Sequence, residues 1–86
     1  DMSENGYTLL MNLGDEALAA GNTAEAADYY QKSLQIKGNN PEVIYKLGMA
    51  YVTAGDQETA AQYFTDIIMN YPNSDYVDDA KTQRGY

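Results

Sequence analysis

Cysteine, histidine and tryptophan are all absent from the 86 residues, and five basic side chains face thirteen acidic ones. Without cysteine there is no disulfide, no thiolate nucleophile and no zinc–thiolate centre, and the redox compartment leaves no mark on the chain. Without histidine, Ser3, Ser33 and Ser74 have no imidazole to activate them, and a lysine is the base that remains. The net charge of −8 repels phosphate backbones, which argues against nucleic acid or an anionic membrane as the main partner. A neutral or basic partner suits that charge better, although plain solubility also accounts for it. No apolar run approaches the roughly 18 residues of a membrane span, and no basic-then-apolar leader opens the chain. A chain of this length is one domain at most and buries roughly 60% of its unfolded surface.

What is present is repetition. Gly14, Gly21, Ala26 and Tyr30 are answered by Gly48, Gly55, Ala60 and Phe64, each 34 residues on. A helical unit of this size is one hairpin that cannot bury its apolar face alone, so neighbouring units must stack to complete the core.

Apolar positions recur at helical spacing throughout, which predicts five helices. The first runs from about Glu4 to Ala20 on the stripe Leu9, Leu10, Leu13, Gly14 and Ala17, and Gly21 supplies a left-handed stop. Asn22 caps the second, with Glu25 placed for a capping box, and Ala26, Ala27, Tyr30 and Leu34 face inward until Gly38, Asn39 and Asn40 end it. Asn40 and Pro41 start the third, since proline at the first helical position loses no needed donor. Its stripe is Val43, Ile44, Leu47, Gly48 and Tyr51, and Gly55 closes it. Asp56 caps the fourth, which turns Ala60, Ala61, Phe64, Ile67 and Ile68 inward and stops at Tyr71 and Pro72. Ser74 caps a more polar fifth helix from Asp75 to about Gln83. Gly14 and Gly48 each cost a helix about 1 kcal/mol relative to alanine. Close approach of the paired helix at the small residues Ala26 and Ala60 is the expected compensation.

The second unit reads Ile44-x2-Leu47-Gly48-x2-Tyr51, then Ala60-x3-Phe64, then Pro72. This resembles the tetratricopeptide repeat pattern at every signature position except the leading tryptophan. The first unit, Leu10-x2-Leu13-Gly14-x2-Ala17, then Ala26-x3-Tyr30, then Gly38, is similar but has alanine for the tyrosine and glycine for the proline. The resemblance implies an all-α fold, a right-handed stack of antiparallel helix hairpins. Its units lie at about 7–40 and 41–74, with a capping helix at about 75–84. Asp78 and Lys81 stand where Ile44 and Leu47 stood, so the fifth helix ends the stack with a polar face and leaves Val77 and Ala80 to touch the fourth. Two hairpins fall short of the roughly three repeats that stability usually requires. Either more structure precedes Asp1, or the first hairpin associates with another copy.

In tetratricopeptide proteins the first helix of each hairpin lines a concave groove. The resemblance maps that lining onto Thr8, Met11, Asp15 and Leu18, then Glu42, Tyr45, Met49 and Val52, with Tyr76, Asp79 and Gln83 extending it. The spacing of residues 42, 45, 49 and 52 independently places them on one helix face. Methionine and tyrosine there suit an apolar helix or extended peptide, and Asp15 and Glu42 favour a lysine or arginine on it. Core packing accounts for Met11 and Met49 equally well. Relatives that clamp a terminal carboxylate carry lysine and asparagine at the places of Met11 and Asp15, so that ligand is not expected here. The expected function is therefore protein binding in the groove, with self-association as the alternative. No cofactor or metal is called for. Asp75, Asp78 and Asp79 lack the glycine-turn spacing of a calcium loop, and the many carboxylates have no pocket former beside them, so no enzyme is expected. An opening Asp1, the absence of cysteine and the resemblance of Tyr71-Pro72-Asn73-Ser74 to envelope tetratricopeptide proteins together suggest a piece of a bacterial envelope protein.

Overall fold

The computed structural model describes the backbone of residues 2–85 and the side chains of residues 6–85, so the side chain of Ser3 lies outside the described residues. Five helices follow in order: α1 (Met2–Ala19), α2 (Thr23–Ile36), α3 (Pro41–Thr53), α4 (Gln57–Asn70) and α5 (Val77–Arg84). No strand occurs among the described residues. Each helix packs chiefly on the next, and α1 also touches α3, which makes a stack of hairpins rather than a closed bundle. The stack measures 37 × 29 × 16 Å. No helix among the described residues is long and apolar enough to cross a membrane.

Both hairpin turns use the same device. Gly21 and Gly55 take positive φ, 83° and 86°. The amides that follow, Asn22 N and Asp56 N, reach back 2.9 Å to the carbonyls of Ala17 and Tyr51. This satisfies carbonyls that the helix end would otherwise leave bare. The next helix then starts differently in the two units. The Asp56 carboxylate accepts from Thr59 N at 3.1 Å, and the contacts with Thr59 hold its carboxyl below the usual carboxylate range. Asn22 and Asn40 occupy the cap positions without any side-chain cap bond, so the box expected between Asn22 and Glu25 does not form. The positive end of a helix favours a carboxylate at the cap, and of these three residues Asp56 alone supplies one. Ser74 also differs from expectation. Its hydroxyl accepts from Tyr76 N at 3.0 Å, which closes a turn and moves the start of α5 from Asp75 to Val77.

The core mostly follows the helical stripes, with Ala50 buried beside the expected stripe of α3. Leu9, expected inward, is 60% exposed, while Ser33 is fully buried and donates to the Tyr7 carbonyl at 2.9 Å. Tyr30, Val43 and Leu47 centre one cluster and Phe64, Ile67 and Ala80 the other. Ala80 is fully buried and Val77 packs beside it, so the polar last helix docks through those two residues as expected.

The close approach at the internal glycines is to a ring rather than to alanine. A Cβ on Gly14 would lie 2.5 Å from the Tyr30 ring, and one on Gly48 would lie 2.6 Å from the Phe64 ring. Each ring lies flush against bare backbone of its partner helix. Gly48→Ala should therefore lose stability in urea denaturation despite its better helix propensity, because overpacking a closed site costs about 1–3 kcal/mol against about 1 kcal/mol gained. Gly38→Ala, at an exposed site with ordinary φ, should be neutral or mildly stabilising. A Gly48→Ala variant as stable as the parent would show that the Phe64 ring shifts freely in its seat.

Candidate interaction surfaces

The stripe expected to line a groove lies on α1 and α3 and continues at Tyr76, just before α5. Met11, Asp15, Leu18, Glu42, Tyr45, Met49, Val52 and Tyr76 are all half-buried, while Thr8, Asp79 and Gln83 are exposed. Most of these residues have partners inside the molecule. Met11 and Leu18 pack against the first core cluster, and Tyr45, Met49, Val52 and Tyr76 against the second. The Tyr45 ring stands between Phe64 and Tyr76, at centroid distances of 5.7 and 5.4 Å. The Tyr76 hydroxyl donates to Glu42 Oε2 at 3.3 Å. The structure thus brings Glu42, Tyr45 and Tyr76 into one contact network.

Asp15 ties three helices together. It accepts from the Tyr30 hydroxyl at 2.6 Å and pairs with Lys46 Nζ at 2.7 Å. A lysine does meet this aspartate, as its charge suggested, but the lysine belongs to α3 of the same chain. Lys46 carried no motif in the sequence. The one available cue was its place on α3 beside the stripe, and which helix it would reach depended on the packing.

The electrostatics are those of neutral tyrosines beside acids. Burial pushes Tyr30 well above the ordinary tyrosine range, and its bond to Asp15 and that charge add to the effect. Burial likewise raises Tyr45, helped by the Asp79 charge and opposed by a bond to Gln83. Tyr76 rises through burial and then through Glu42, Asp75 and Asp79. No group of three or more acidic side chains that could hold a metal ion occurs among the described residues.

A second surface lies at the outer edge of the first hairpin. Leu9 and Gly6 are three residues apart on α1 and share a face. Ile36, 44% exposed, brings its Cδ1 to 3.4 Å from where a Gly6 side chain would begin. Leu9 and Ile36 therefore flank one exposed apolar strip across both helices.

The hairpin-on-hairpin stack, the glycine-seated rings and the repeated turn agree with the comparison of sequences: the tetratricopeptide repeat profile matches residues 17–83. The chain belongs to the tetratricopeptide repeat family. No curated protein with which the chain was compared matches it. Tetratricopeptide repeat domains are non-catalytic scaffolds for protein–protein interaction, and this domain is a scaffold of that kind.

The Tyr30–Asp15 bond gives the domain a pH dependence of definite sign. The hydroxyl must keep its proton in the folded state, whereas in the unfolded chain it titrates near 10.0. Its contribution is therefore complete below pH 10 and is lost progressively as pH rises through the higher folded value. Tyr30→Phe should cost about 1 kcal/mol at pH 7, the worth of one hydrogen bond. It should also flatten the alkaline fall in stability followed by circular dichroism above pH 10. An alkaline limb identical to that of the parent would mean that the hydroxyl is not held by Asp15.

Proposed function

We propose that this tetratricopeptide domain is an assembly module that pairs with a second copy of itself through the outer edge of α1. The exposure of Leu9 carries this reading. Leu9, Val43 and Val77 hold equivalent places, 34 residues apart, on the three first helices. Val43 is completely buried among residues of α2, and Val77 packs into the cluster built on α4. Among the described residues the same face of α1 leaves Leu9 60% exposed, and Ile36 widens the apolar strip. A two-fold pairing brings this strip of one copy onto that of the other, which is the commonest closed arrangement for identical chains. The charge of −8 on each copy opposes contact, so salt should strengthen the association rather than weaken it. In sedimentation equilibrium the parent should show a concentration-dependent dimer. Leu9→Lys should weaken it at least about thirtyfold, since each of the two copies loses up to about 2 kcal/mol of leucine burial, with the helical circular dichroism unchanged. A parent that stays monomeric up to about 1 mM, where even a weak pairing would be populated, would refute the proposal.

The half-buried stripe supports a second reading, in which the groove takes an apolar-anchored, neutral to basic peptide of another protein. Met11, Leu18, Met49 and Val52 are apolar, adaptable and only partly covered. Leu18 is the better probe of this reading, because Tyr45 is fixed between two rings and its loss would disturb the fold. Leu18→Ala should weaken partner capture in a pull-down with the helical circular dichroism unchanged, while Gln62→Ala, on α4, leaves it intact; the opposite pattern would move binding off the groove. An envelope location rests on the Tyr71-Pro72-Asn73-Ser74 resemblance, and fractionation of cells carrying the parent chain tests it.

A further inference from the structure

The seams between successive hairpins share one plan, and the two seams differ in who supplies a cation. At the second seam Arg84, in the last turn of α5, turns toward α4, where its Nε donates to Thr65 Oγ1 at 2.6 Å. Counted back by 34 residues, Arg84 becomes Ala50 and Thr65 becomes Gln31. The first seam therefore keeps a polar side chain on the outer helix and loses the arginine. Where Ala50 ends at its methyl group, a trench of about 380 Å³ opens between α2 and the end of α3.

The lining suits what is missing. Ala24 and Ala54, both exposed, offer methyl groups along which an aliphatic stem can lie. Gln31 and Tyr51 also line the trench; Tyr51 is held in place by stacking on Tyr63, with ring centroids 5.7 Å apart and planes 13° apart. Planar guanidinium groups pack well on such rings and donate to side-chain oxygens. Two carboxylates, Asp28 and Asp56, complete the lining. Lys32 pairs with Asp28 at 3.0 Å, but both side chains are more than half exposed and such a pair is easily exchanged.

We propose that the trench between α2 and α3 is a docking site for an arginine side chain of a partner protein. Arg84 is the one arginine among these 86 residues and is engaged at Thr65, so the occupant is an arginine from outside them. The trench shares no residue with the Leu9 edge or with the α1–α3 stripe, so it stands apart from both readings above.

The test is a titration of the 86-residue chain with N-acetyl-arginine amide, followed by amide chemical shifts. Shifts should concentrate at Ala24, Gln31 and Ala54 and saturate with a Kd on the order of 1–10 mM, as fits so small a ligand. The lysine amide and the uncharged citrulline amide should bind at least about threefold more weakly, since neither offers a charged planar fork. Ala24→Trp, at an exposed lining position, should plug the trench and remove the shifts while the rest of the spectrum is unchanged. Asp28→Asn should weaken binding by about threefold, the scale of one exposed charge contact. Equal shifts with citrulline, shifts that map elsewhere, or the same shifts on simply raising the protein concentration would each overturn the proposal, the last because a second copy would then be the occupant.

Discussion

An aromatic ring resting on a glycine is the contact on which both hairpins depend. Tyr30 covers Gly14 and Phe64 covers Gly48, closer than any side chain at those positions would permit. Each glycine costs its helix about 1 kcal/mol in propensity, and burial of a large ring returns roughly 2–3 kcal/mol. With the rings seated, the small residues Ala26 and Ala60 are buried in the same hairpins, and the second hairpin lays Val43 and Leu47 on the first. Stacking is thus a consequence of how tightly each hairpin closes.

The two units solve the same packing problem with different chemistry. Tyr30 faces Asp15, whereas the equivalent positions of the second unit hold Phe64 and Met49. One unit satisfies a buried hydroxyl with a carboxylate, and the other removes both polar groups together. Either arrangement avoids an unpaired buried donor, which would cost more than the hydrogen bond is worth. The polar version does something more, because Asp15 also holds Lys46 and so links α1, α2 and α3. A residue in the expected groove is therefore part of the joint between hairpins.

In a repeat scaffold, distinctive function belongs to positions where the units depart from one another. Leu9 is exposed where Val43 is covered, because α2 and α3, which pack on α1, leave that edge uncovered among the described residues. Ala50 stands beside an open trench, whereas Arg84 reaches across to Thr65. The polar last helix shows the opposite departure, with Asp78, Asp79 and Lys81 turned to solvent. A stack of identical units would have neither the trench nor the difference between its two ends.

Helix number, order and type were legible in the chain because their signals are local. Apolar spacing sets the faces, Gly21 and Gly55 set the turns, and Asn40 with Pro41 sets the start of α3. The candidate stripe was legible as one face of α1 and α3, since helical spacing alone puts residues 42, 45, 49 and 52 together. Its internal commitments were not, because Asp15 meeting Lys46 and Tyr45 lying between Phe64 and Tyr76 depend on where other helices come to rest. Leu9 read as core for a related reason: periodicity says which face is apolar and nothing about what lies against it. The sequence by itself determined a repeated helical hairpin with a polar end, through spacing, glycine and proline. Only the tertiary structure decided which apolar residues are covered, which acids are already paired and where a trench remains, because each of these is a contact between segments far apart in the chain.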